Sequence, residues 1–174
     1  AFDTLAEVCQ GPCPDAQESL ASDSFLHMVT SVLEHGSAGT GDVNDYDLDE
    51  LRASVMITVL ALLEGRCDRV VHGRLANRFT TAEGRRLLME IVSRAHRCVI
   101  EEFKGQYTIA ATEHPTVQLG MATVMLIRNL EECDPDEFGT LFAPKRGNPY
   151  AAGRKGISLG RLANIASRNA QKGL

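Results

Sequence analysis

Tryptophan is absent from this 174-residue chain, which has six Phe and three Tyr. That scarcity excludes an interior built on aromatic stacking and leaves an aliphatic core of Leu, Val, Ile, Met and Ala. Long hydrophobic runs are missing too. The longest, Ala53 to Leu63, is about half of a membrane span, so no transmembrane helix is expected. The opening AFDTLAEV lacks the basic region of a secretory signal. The five cysteines, Cys9, Cys13, Cys67, Cys98 and Cys133, are odd in number and scattered, unlike a disulfide framework. A soluble, intracellular protein with reduced thiols is the expectation. At this length one domain with appended arms buries an adequate core without metal or disulfide staples.

Charge of one sign is missing from each end. The first 50 residues hold 11 carboxylates and no Lys or Arg, whereas residues 138–174 hold no Asp or Glu. That final segment carries seven cations: Lys145, Arg146, Arg154, Lys155, Arg161, Arg168 and Lys172. A second basic group, Arg66, Arg69, Arg74, Arg78, Arg85, Arg86, Arg94 and Arg97, lies mid-chain. The net charge of −5 conceals this segregation. One end suits a polyanion and the other repels it. The 14 Arg outnumber the four Lys. That bias fits a planar fork gripping phosphate or carboxylate, and GC-rich coding would produce it equally well.

Helical periodicity dominates. One helix is predicted over Asp15–His35, through Leu20, Phe25, Val29, Val32 and Leu33, ahead of the loop GSAGTGDVND. Asp47 and Glu50 form a candidate capping box for a helix that buries Leu51, Val55, Val59, Leu62 and Leu63, is apolar nearly all round from Val55 to Leu63 and ends at Gly65. It reads as the central helix. A shorter helix follows over Cys67–Arg78. Thr80 and Glu83 suggest a second capping box, for a helix over Ala82–Lys104 with Leu88, Ile91, Val92, Ala95, Val99 and Phe103 as its stripe. Residues 106–115 are ambiguous, because Tyr107, Ile109 and Ala111 alternate weakly. A further helix spans Val117–Glu132 through Leu119, Val124, Ile127 and Leu130. After a linker-like PKRGNPYAAGRKG, Ser158 caps a last amphipathic helix with Leu159, Leu162 and Ile165 on one side and Arg161, Arg168 and Lys172 on another.

Catalytic patterns are lacking. There is no G-x-S-x-G, no H-E-x-x-H and no P-loop lysine. Gly36, Gly39 and Gly41 follow a helix rather than a strand. His96 and Cys98, two apart on a helix, point in different directions and make no nucleophile–base pair. Glu101 and Glu102 read as a solvated helix edge. Cys9 and Cys13 with His27 and His35 approach a zinc-finger order, but the two His stand too far apart and the segment is acidic. Asp42, Asp45, Asp47, Asp49 and Glu50 fail the EF-hand pattern at its glycine and at its final glutamate. They read instead as acids complementing a helix N-terminus.

These features describe an all-α protein, a single bundle of about five to seven helices with an acidic core domain over 1–143 and a basic linker and amphipathic helix over 144–174. The expected function is non-enzymatic binding of nucleic acid, RNA before DNA and weakly sequence-selective, with self-association into a homo-oligomer. By analogy of composition alone, the profile suits a viral nucleocapsid, matrix or accessory protein. The contacts would be Lys145, Arg146, Arg154, Lys155, Arg161, Arg168, Lys172, Arg74, Arg78, Arg85 and Arg86. The alternative is a helical interaction module whose basic last helix docks on an acidic protein. No catalytic residue, metal or cofactor is assigned.

Overall fold

The computed structural model describes residues 2–10, 13–34, 45–66 and 69–133. Every regular element among them is a helix: α1 Phe2–Cys9, α2 Pro14–Leu20, α3 Asp23–Glu34, α4 Asp45–Ala61, α5 Arg69–Phe79, α6 Ala82–Glu102, α7 Ile109–Glu113 and α8 Pro115–Cys133. The all-helical expectation holds, with eight helices among the described residues. The last predicted helix and the boundary at residue 143 lie outside them. None of the described helices is long and apolar enough to cross a membrane.

Three features raise the helix number: α1, which was not predicted, and two local changes. The span predicted as one helix over 15–35 divides at Ala21–Ser22, where the Ser22 Oγ accepts from the Phe25 amide at 3.3 Å. That hydroxyl satisfies an amide with no partner inside the helix, so α3 starts afresh. The ambiguous 106–115 segment contains α7, whose Thr108 hydroxyl caps the Ala111 amide at 3.2 Å. Two predicted caps also move. Thr81, not Thr80, caps α6 by accepting from the Gly84 amide at 3.0 Å, and α4 starts at Asp45, which places Asp47 inside its first turn. The stop signals stand as read: Gly65 and Gly105 both have positive φ, 68° and 75°. The Gly105 amide reaches back to the Val99 carbonyl at 2.9 Å, a Schellman-type closure.

Helix α8 runs between α4 and α6, α1 covers α4, and α5 packs among α2, α3, α6 and α8. The core is aliphatic, as the composition requires. Leu26 and Val29 share the core with Val55, Met56 and Val59 from α4, Leu62 just past its end, Leu75 from α5, Leu88 from α6, and Leu119, Leu126 and Leu130 from α8, with Phe79 the one fully buried aromatic among the described residues. Gln17 pins the N-terminal helices to this core. Its side-chain amide lies 3.0 Å from each of the carbonyls of Cys9, Ala61 and Glu64, so it caps the end of α4 from α2.

The α6–α8 contact is close because residue 120 has no side chain. A Cβ there would fall 2.2 Å from the Ala95 Cβ, so the two backbones would have to part. Gly120→Ala is expected to lower unfolding free energy by about 1–3 kcal/mol, overriding the propensity gain of about 1 kcal/mol that alanine brings to a helix. Gly73→Ala, where nothing lies within 4 Å, should be stabilising by about 0.4–1 kcal/mol. Urea denaturation of both variants checks the pair.

Candidate functional site

The most polar place in the core is built on Asp49, one turn into α4 and 2% exposed. Its Oδ1 accepts from the Arg52 Nη1, one turn on, at 2.9 Å, and from the Arg94 Nη2 of α6. Its Oδ2 accepts from the Thr116 hydroxyl, in the first turn of α8, at 2.7 Å. Arg52, 1% exposed, also donates through Nε to the Val32 carbonyl of α3 at 3.3 Å. One carboxylate thus ties three helices, and Arg52 brings in a fourth. Of the acids considered for calcium, Asp45, Asp47 and Glu50 are exposed while Asp49 is spent inside. Asp42 lies outside the described residues.

Beside this knot opens a cleft of about 380 Å³ lined by Asp45, Tyr46, Arg94, Arg97, Glu101 and Thr116. On its wall, Cys98 and Glu102 share one face of α6 through their i, i+4 spacing. His114 is delivered by the Phe103–Thr108 turn and α7 to the position just before Pro115. Its Nδ1 lies 3.7 Å from the Cys98 Sγ and its Nε2 lies 3.5 Å from the Glu102 carboxylate. Tyr46 and Phe103 meet the imidazole edge-on, with ring centroids at 5.4 and 5.8 Å. Burial pushes the Cys98 thiol up to about 11, helped by the negative charge and hydrogen bond of Glu102 and by Asp49 and Glu101. A thiol held protonated this way is no activated nucleophile, despite its imidazole neighbour.

Sequence reasoning missed this trio. It paired Cys98 with His96 for inspection and took Glu102 for solvated edge; the i, i+4 spacing of Cys98 and Glu102 was the available signal. The zinc-finger order it weighed is not assembled among the described residues. Cys9 is buried and Cys13 exposed, and His27 faces the Arg78 guanidinium at 3.1 Å. His35 lies outside them.

The expected polyanion contacts divide. Lys145, Arg146, Arg154, Lys155, Arg161, Arg168 and Lys172 lie outside the described residues. Arg74 donates to the carbonyls of Glu18 and Ala21 at 3.0 and 3.3 Å, closing the end of α2. Arg78 binds the Thr30 hydroxyl and His27. Arg66 donates to the Pro14 carbonyl at 2.6 Å. These guanidinium groups fasten α5 and its approach to α2 and α3. Arg85 is half-buried and Arg86 exposed on α6.

No family model, curated protein or solved structure matches this chain.

Asp49→Asn leaves Arg52 buried without its counter-charge. Loss of one partner of a buried pair costs about 3–5 kcal/mol, so this variant should show a large drop in denaturation midpoint. Arg94→Met, whose native side chain is one-third exposed, should cost clearly less.

Proposed function

We propose that the chain is a non-enzymatic helical interaction module that docks on an acidic protein surface through its basic C-terminal segment, a second copy being the first partner to test. The carrying observation is the charge segregation: seven cations and no carboxylate in residues 138–174, against 11 carboxylates and no cation in residues 1–50. The engagement of Arg66, Arg74, Arg78 and Arg94 with groups on other helices supports a protein partner over a polyanion. A phosphate-gripping face would keep such side chains available. Besides Arg69, Arg85, Arg86 and Arg97, what then remains is a short basic segment with Leu159, Leu162 and Ile165 at helical spacing, the pattern of helix-in-groove recognition.

Nucleic-acid binding is the second reading. Arg85 and Arg86 favour it: they stand adjacent on α6, and no ion pair holds either among the described residues. With the terminal cations they would contact backbone phosphate rather than bases.

Two variants separate the readings: Leu162→Asp, and joint neutralisation of Arg154, Lys155, Arg161 and Arg168. Sedimentation should show concentration-dependent self-association that both variants abolish. Fluorescence anisotropy with a short single-stranded RNA should show only weak binding. Micromolar RNA binding that falls with a salt slope of about −0.7 per contacted phosphate, lost on neutralisation and kept in Leu162→Asp, would establish the nucleic-acid reading instead.

A further inference from the structure

Among the described residues, Cys98, Glu102 and His114 form the one group of three metal-ligating side chains whose donor atoms all lie within 4.8 Å of one another. We propose that these three residues bind a zinc-class divalent ion, independently of the reading given above.

The spacing supports a shared ion. Zinc–sulfur and zinc–nitrogen bonds of about 2.3 and 2.0 Å, at a tetrahedral angle, put the two donors about 3.5 Å apart. The Cys98 Sγ and His114 Nδ1 are 3.7 Å apart. The Glu102 side chain is 56% exposed and therefore free to swing its carboxylate toward the same point, whereas His114 is 20% exposed and fixed. Two aromatic edges hold that imidazole in place, so little side-chain entropy is lost when it binds.

The donor set names the ion class. Sulfur with imidazole and carboxylate suits zinc or a similar borderline ion, and disfavours magnesium and calcium, which take oxygen ligands. As the sulfur binds, its proton leaves to solvent. Asp45 and Glu101 line the cleft and answer its two guanidinium groups, Arg94 and Arg97, of which Arg94 is already bonded to Asp49. Three protein donors leave the fourth position of a tetrahedral ion facing the cleft, for water or a partner's side chain. Bound there, the ion clamps the end of α6 to the start of α8 across the Phe103–Thr108 turn.

The test is a cobalt(II) titration of the reduced full-length chain, followed by absorbance. A single equivalent should produce a thiolate-to-cobalt charge-transfer band and the intense visible bands of a four-coordinate ion, and zinc(II) should displace both. Cys98→Ser should remove the charge-transfer band. Glu102→Gln, at an exposed side chain where folding is not at risk, should weaken binding about 10-fold or more, the least that loss of even an outer-shell group costs. His114→Asn should weaken it further. Absence of the charge-transfer band at millimolar cobalt would overturn the proposal. So would a band that persists in Cys98→Ser, since the other thiols would then be the ligands. Unchanged affinity in Glu102→Gln would remove the carboxylate from the site and the three-donor assignment with it.

Discussion

A carboxylate removed from water has to be answered by donors, and Asp49 imposes that requirement on half the bundle. Its two oxygens need Arg52, Arg94 and Thr116 together. Those groups arrive from three helices that must meet at one height and rotation. Apolar packing alone tolerates sliding, because Leu against Val is nearly indifferent to a small shift. A buried ion with three directional partners is not. The register of α4, α6 and α8 is therefore set at their Asp49 end, and the aliphatic layers below follow from it. Desolvating these charges is only partly answered within the cluster, since the Arg52 Nη2 and Arg94 Nε are buried without a hydrogen-bond partner, so the knot contributes more to uniqueness of packing than to net stability.

The same register builds the adjoining cleft. Arg94 belongs to the Asp49 cluster, and Cys98 and Glu102 follow it on α6 at successive turns. Thr116 belongs to it from α8, and His114 precedes Thr116 by two residues. Fixing Arg94 and Thr116 against one carboxylate thus brings the thiol, the second carboxylate and the imidazole to a common wall. Tyr46, three residues before Asp49, completes the arrangement from α4 by packing on His114.

Much of this fold was legible. The apolar stripes of α6 and α8 were read at the right positions because long periodic segments leave little ambiguity, and Gly65 and Gly105 mark helix ends with a backbone conformation that glycine favours; α4 was read as the central helix, but it leaves Leu51 and Ile57 exposed and α8 takes the middle place. The break at Ser22 was hidden because the hydrophobic spacing from Leu20 to Phe25 continues smoothly across it; only a hydroxyl turning back on an amide interrupts the chain. The arginine group was misleading in a different way. Sequence shows charge but not the carbonyls at the ends of α2 that absorb it, and those become visible only when α5 docks. The Cys98–His114 juxtaposition was invisible for the same reason. A sixteen-residue separation carries no periodic signal, and the intervening turn and five-residue α7 decide where the imidazole points.

Helix α8 holds two positions at once: the middle layer of the bundle, and the last described element before the basic segment. Whatever grips residues beyond Cys133 therefore pulls on the helix that α4 and α6 enclose. Force entering there meets two long interfaces at once, one of them closed by Gly120 seated against Ala95. A pull on α8 is thus a pull on its neighbours α4 and α6 as well.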